Sequence, residues 1–205
     1  MPDKQPIFIS GIDTGIGKTL VSAILTEKLN ADYWKPIQSG DLDKSDTLKV
    51  KSLISNPVTQ FFPEAYALTQ PFSPHKSAAL DKVTIELENI VLPKTDNQLI
   101  IEGAGGLMVP LNDNFLIIDL IKQLNARVIL VSKHYLGSIN HTLLSLHALK
   151  KYGIPVMGVV FNGDKDIYSK SYILDYSEVA DLGQIPELDT INKKTVKEAG
   201  KFITL

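Results

Sequence analysis

The chain has 205 residues, 44% of them hydrophobic and 21% charged, with a net charge of −2. That suits a single α/β domain with a sizeable core, and nothing in the charge balance points to nucleic acid or an anionic membrane as a partner. The absence of cysteine excludes disulfides, thiolate metal sites and a cysteine nucleophile.

The start, Met1-Pro2-Asp3-Lys4-Gln5, is polar and leads directly into an apolar run, Ile7-Phe8-Ile9. No apolar run reaches ~18 residues, so a cytoplasmic protein with no leader and no membrane span is expected. The run stops at Ser10-Gly11, and Gly11-Ile12-Asp13-Thr14-Gly15-Ile16-Gly17-Lys18-Thr19 follows. A strand, a glycine-rich loop, Lys-Thr and an amphipathic helix (Lys18 to Leu29) make a phosphate-binding loop. Its glycines turn backbone N–H groups inward, Lys18 brings a full charge to the outer phosphates, and the Thr19 hydroxyl can ligate Mg²⁺. Five residues separate Gly11 from Gly17, one more than the usual spacing.

Asp32-Tyr33-Trp34 reads as a second strand, ending at Lys35-Pro36. Lys35 is either a solvated lysine at a loop start or a charge aimed at the same crevice. The polar stretch from Ile37 to Ser45 reads as loop. Ser45 is placed to cap a helix beginning at Asp46, and Asp46 suits a first turn whether or not it has another role. Val58 to Val83 reads as loop with short helical pieces, and Thr84 to Leu92 as a weak helix.

Leu99-Ile100-Ile101 is a buried strand ending in Glu102, and Gly103-Ala104-Gly105-Gly106 reads as a second glycine-rich turn. An acid ending such a strand, beside a phosphate loop, is a candidate Mg²⁺ carboxylate. Asn114 is expected to cap a helix from Phe115 to Leu124. Arg127 to Val131 and Val156 to Phe161 are further strands, with a helix from Ser138 to Lys151 between them. Asn162 could bond a nucleotide base or simply make an Asn-Gly turn. Gly137-Ser138 is an anion site or an ordinary cap. A helix over 169–176, a strand within 179–185 and a short helix from Asn192 with a loose end complete the chain. His75, His134, His141 and His147 lack metal-ligand spacing and read as structural. The sole arginine is Arg127, so lysines must supply any phosphate-clamping charge.

Apolar strands alternating with helices imply a three-layer α/β fold of the P-loop type, with a mostly parallel central sheet and helices on both faces. Ligands in such sheets bind at the carboxyl ends of the strands. No linker or repeat is visible, so residues 1–205 read as one domain.

These motifs resemble, in order and over nearly the whole chain, the dethiobiotin synthetases, which form a ureido ring at the expense of ATP. Gly11 to Thr19 is similar to the family's G-T-D-T-x-V-G-K-T, with the same spacing. Trp34 to Gly40 resembles Y-K-P-V-x-S-G, and Ser45-Asp46 its S-D. Pro71-Phe72-Ser73-Pro74-His75 resembles P-x-S-P-H, and Glu102 to Gly106 resembles E-G-A-G-G. Leu136 to His141 is similar to L-G-x-I-N-H, and Gly183-Gln184-Ile185-Pro186 to G-E-I-P. Ile12 and Gly15 depart from the pattern, Gly15 standing where members often carry an acid.

The resemblance implies a homodimer acting on 7,8-diaminononanoate, CO₂ and ATP, with Mg²⁺. It assigns Gly15, Ile16, Gly17, Lys18, Thr19 and Leu20 to the nucleotide, with Gly103, Ala104 and Gly105 alongside. Thr19, Asp46 and Glu102 gather Mg²⁺. Lys18 and Lys35, with Thr14, act on the carbamate and the γ-phosphate. Thr14 and Ser39 line the diamine pocket. Asn162, Ile185 and Pro186 lie near the base, and Ser138, Ile139 and Asn140 hold the substrate's carboxylate tail across the dimer.

Three other readings of the loop are disfavoured by residues. A partitioning-type ATPase would carry a lysine where Asp13 stands. An amidotransferase-type cobyrinate synthetase would need a cysteine. A GTP-binding switch would show N-K-x-D after an apolar strand.

Overall fold

A computed structural model describes residues 5–205. The polar start, Met1 to Lys4, lies outside the described residues. The strands are β1 (Ile7–Gly11), β2 (Asp32–Trp34), β3 (Ile37–Ser39), β4 (Phe61–Phe62), β5 (Tyr66–Leu68), β6 (Leu99–Gly106), β7 (Arg127–Lys133), β8 (Val156–Asn162) and β9 (Asp181–Ile185). The helices are α1 (Lys18–Leu29), α2 (Asp46–Leu53), α3 (Pro74–Leu80), α4 (Ile117–Gln123), α5 (Ser138–Tyr152), α6 (Ile167–Ser177) and α7 (Lys193–Ala199).

Seven strands form one sheet in the order β4-β2-β6-β1-β7-β8-β9, and all its pairings are parallel. Period-two alternation sends successive side chains to opposite layers. Ile7, Ile9, Tyr33, Ile100 and Ile129 face α1 and α7. Phe8, Trp34, Leu99, Ile101 and Val128 face α4 and the end of α5. A smaller cluster around Leu130, Phe161 and Ile173 lies under α5 and α6. The three-layer, parallel fold read from the sequence is the one observed.

Several local expectations are corrected. Ile37–Ser39 is not loop. It pairs in parallel with Tyr66–Leu68 as a separate two-stranded sheet, and two short strands lie within the stretch read as loop from Val58 to Val83. Thr84 to Leu92 is not a helix beyond one 3₁₀ turn at Leu87–Asn89. Its buried anchors, Ile85, Leu87 and Ile90, are two and three residues apart and do not share one face of an α-helix.

Gly103 to Gly106 continues β6 rather than turning. Gly106 pairs with Gly11, after a register shift between Ile9 and Gly11. A Cβ on Gly103 would sit 2.6 Å from the Phe8 ring, so glycine lets these strands run close together. Asn114 does not cap α4. Phe115 and Leu116 are used in a turn, with Leu116 bridged to Pro110, and Asp119 accepts from the Leu116 N–H at 2.8 Å. The chain end is not loose, since Lys28 Nζ donates to the carbonyls of Gly200 at 2.9 Å and Ile203 at 2.5 Å.

Candidate active site at the carboxyl ends of β1, β2 and β6

The site starts from the phosphate loop. Gly15 and Gly17 have φ of +73° and +97°, left-handed values that glycine adopts without strain. A Cβ on Gly17 would lie 2.1 Å from Asn162 Nδ2. Asn162 Nδ2 itself donates to the Ile16 carbonyl at 2.9 Å, so the end of β8 braces the loop. The unpaired N–H groups at the start of α1 and its helix dipole make this loop an anion cradle.

The loop opens on a cavity of about 660 Å³. Thr14, Gly15, Gly17, Lys18 and Thr19 form one wall, Lys35, Ser39 and Asp46 a second, and Glu102, Gly103, Ala104 and Gly105 a third. Thr19 and Glu102, 83 positions apart, thus meet because parallel strands end on the same edge. Ile37, Gln38 and Val109, to which the motifs assign no role, also line this space. Gln38 Oε1 accepts from the Asp46 N–H at 3.1 Å, while its Nε2 donates to Gly40 O at 2.9 Å. Together with Ser45 Oγ, which accepts from the Leu48 N–H at 3.3 Å, it fixes the start of α2 and hence Asp46. The signal for Gln38 was its place between Lys35 and Ser39.

Charge is concentrated and buried here. Lys35 Nζ lies 2.8 Å from Asp46 Oδ2 and 3.3 Å from Glu102 Oε1. Glu102 is 1% exposed and Lys35 4%, so the solvated reading of Lys35 is set aside. Burial alone would lower the Lys35 pKa, but the two carboxylates outweigh it and the net shift is upward. Asp46 is likewise pushed up by burial and pulled further down by Lys35 and Lys49, for a net fall. Lys18 differs. Burial brings its pKa down to about 8, with Lys35 adding to the fall and Glu102 opposing it. Its Nζ donates to the Asp13 carbonyl at 2.9 Å.

Thr19 Oγ1 donates to Glu102 Oε1 at 2.7 Å, so a hydroxyl and a carboxylate oxygen converge beside the phosphate loop, with Asp46 across from them. Among the described residues no group of three or more His, Cys, Asp or Glu side chains could hold a metal alone. The set fits Mg²⁺ nonetheless, because that ion takes hard oxygen ligands and commonly completes its shell with phosphate oxygens and water.

Other residues singled out from the sequence lie outside this cavity. Ile16 and Ile185 are buried in the core, and Leu20 packs against it; the carbonyls of Ile16 and Ile185 are taken by Asn162 Nδ2 and the Gly163 N–H. Pro186 lines a second cavity of about 470 Å³ with Lys165, Asp166, Ile167, Lys170, Gln184 and Phe202. Gln184 Nε2 donates to Gly163 O at 3.0 Å and Asp164 O at 3.1 Å. Ser138 is buried at the start of α5, Ile139 is half-buried and Asn140 is exposed. None of the three lines either cavity.

A family model described as an AAA domain matches residues 5–195. The chain is 52% identical over 196 residues to the ATP-dependent dethiobiotin synthetase BioD of Christiangramia forsetii, covering 95% of this chain and 94% of that protein. It is 50% identical to the enzyme of the same name from Cytophaga hutchinsonii, covering 92% of both. Among solved structures, a ParA family ATPase from Chlorobium tepidum superposes with a TM-score of 0.58 at 12% identity, covering 96% of this chain and 98% of that one. The cell division ATPase MinD of Pyrococcus furiosus also gives 0.58, at 15% identity, covering 96% and 97%. At such identities the last two likenesses concern the fold alone.

Proposed function

The chain belongs to the ATP-dependent dethiobiotin synthetase family, and we propose from this that it closes the ureido ring of dethiobiotin from 7,8-diaminononanoate, CO₂ and ATP, in biotin biosynthesis. The observation that carries the reading at the level of the site is the buried Lys35, held between Asp46 and Glu102 at the mouth of the phosphate loop. A loop that only bound a nucleotide would not require a second buried lysine there.

One amine of the substrate takes up CO₂ as a carbamate. A carbamate oxygen attacks the γ-phosphorus of ATP, ADP leaves, and a carbamic–phosphoric anhydride results. The second amine then attacks the anhydride carbonyl, the ring closes and phosphate departs. In this scheme the loop N–H groups and Lys18 hold the phosphates, and Lys35 offsets negative charge where carbamate and γ-phosphate meet. Thr14 and Ser39 line the space left for the diamine. Thr19, Asp46 and Glu102 would hold Mg²⁺, which when bound neutralises charge on the phosphate oxygens. The bracing of Ile16 by Asn162, with Ile185 and Pro186 beside the second cavity, supports placing the base there.

We read the chain as a single-domain, cytoplasmic homodimer. Among the described residues no helix is long and apolar enough to cross a membrane. Leu136 is fully exposed, and Leu144, one turn beyond Asn140 on α5, is 60% exposed. These apolar side chains flank Ser138 to Asn140, which supports a role for that helix start in a partner's site.

The test is phosphate release from ATP with and without 7,8-diaminononanoate and bicarbonate. Release is expected only with both, accompanied by dethiobiotin. ATP hydrolysis indifferent to the diamine would contradict the assignment and favour a switch-type ATPase.

A further inference from the structure

We propose that Tyr33 is a positioning residue for this reaction: its hydroxyl fixes the Glu102 carboxylate so that a single oxygen is presented to the nucleotide and its metal. The proposal rests on the reading of Glu102 as a Mg²⁺ ligand.

Tyr33 is the middle residue of β2 and pairs with Ile100. Side chains two apart on a strand share a face, so Tyr33 and Glu102 lie on the same side of the sheet, toward α1. The tyrosine is wholly buried, among apolar neighbours that include Ile9, Ile24 and Ile100, and its ring lies 5.8 Å from that of Phe61. Phenylalanine would fill such a place as well. The hydroxyl is the exception, since a buried phenol needs a partner. It donates to Glu102 Oε2 at 2.9 Å.

The two oxygens of Glu102 are thereby divided. Oε2 accepts from Tyr33, which does not line the cavity, whereas Oε1 accepts at 2.7 Å from Thr19 and at 3.3 Å from Lys35, which do. A buried anionic oxygen without a donor is costly. Removing the hydroxyl leaves Oε2 in that condition, and the carboxylate is then free to turn toward Lys35 or water. Outer partners of metal-binding carboxylates set ligand orientation in the same manner, and their loss typically weakens metal binding about 10–100-fold.

The experiment measures Mg²⁺ binding by calorimetry in the presence of a non-hydrolysable ATP analogue, so that no turnover is needed. Tyr33→Phe is expected to raise the Mg²⁺ midpoint about tenfold, to leave analogue affinity in EDTA unchanged, and to lower kcat without altering KM for the diamine. Phe61→Leu loosens the ring packing but keeps the hydroxyl, and should lower Tm while leaving the Mg²⁺ midpoint in place. An unshifted midpoint in Tyr33→Phe, with Glu102→Ala weakened, overturns the role of Tyr33 and spares that of Glu102. An unshifted midpoint in Glu102→Ala overturns the metal-ligand reading and this proposal with it. A shift in Phe61→Leu equal to that in Tyr33→Phe assigns the effect to packing and also overturns it.

Discussion

Beside β1, β2 and β6, the charge network has two buried members and one, Asp46, that reaches solvent with 21% of its side chain. Beside β8 and β9, the pair of charges is the more exposed of the two sets. Lys35 and Glu102 are almost inaccessible and share one short network with Asp46. Lys170, by contrast, pairs with Asp181 at 2.7 Å across side chains 22% and 41% exposed, and its ammonium lies 5.1 Å from the centre of the Phe161 ring. In the first region burial limits how well water can replace a missing partner, so removing one charge leaves the others poorly compensated. In the second, water can replace it. Groups that act on reacting atoms are expected in the first, and groups that merely hold a ligand are tolerable in the second.

The sharpest way to break this contrast is Lys35→Ala. Loss of a preorganised charge at the reacting oxygens should lower kcat by ~10²-fold or more, measured as dethiobiotin formed under saturating ATP and diamine. Near-normal turnover would remove Lys35 from the mechanism and make its burial a matter of folding alone.

A pH titration comes next. In the free enzyme Lys18 loses its proton near pH 8 because it is buried, whereas a bound triphosphate favours the ammonium. Below pH 8 both states are protonated and affinity is flat. Above it, ATP binding must take up a proton, so affinity should fall by about tenfold per pH unit until the bound form also titrates. Calorimetry in buffers of different ionisation enthalpy would record that proton uptake between pH 8 and 9.5, and a flat affinity over that range contradicts it.

The smallest effect is expected in the exposed region. Gln184→Ala removes two neutral hydrogen bonds to the turn after β8, each worth about 1 kcal/mol and partly replaced by water. KM for ATP should rise about fivefold with kcat retained. A large fall in kcat would show that the two regions are not as separate as their solvation suggests.

The same contrast explains what could be read from the sequence. The core strands were legible because apolar runs such as Ile7-Phe8-Ile9 and Leu99-Ile100-Ile101 have few alternatives. The phosphate loop was legible because its residue types are dictated by phosphate. Gly103 to Gly106 reads as a turn in sequence because glycine usually breaks a strand. Here it permits the close pairing that Phe8 demands, which is visible only from the neighbouring strand. The β3–β5 pair escaped for a similar reason, since Ile37-Gln38-Ser39 has no local pattern and is extended through bonds to residues about thirty positions away. Gln38 and Tyr33 went unnoticed because their partners, Asp46 and Glu102, come from other elements. Asn162, ambiguous in sequence, proved to brace the loop through Ile16.

The ends of the sheet carry one more consequence. At one edge β4 is only two residues long and runs into Pro63, which has no N–H to offer. At the other, residues 203 and 204 fold back on β9, with Gly183 bridged to Ile203 and the Thr204 N–H donating to Leu182 O at 2.9 Å. Neither margin offers a long open ladder to a visiting strand. Among the described residues, the seven-stranded sheet therefore gives a second copy of this chain no ready edge to extend. Association is better served by side-chain surfaces such as the exposed leucines around α5, which need no rearrangement of the sheet.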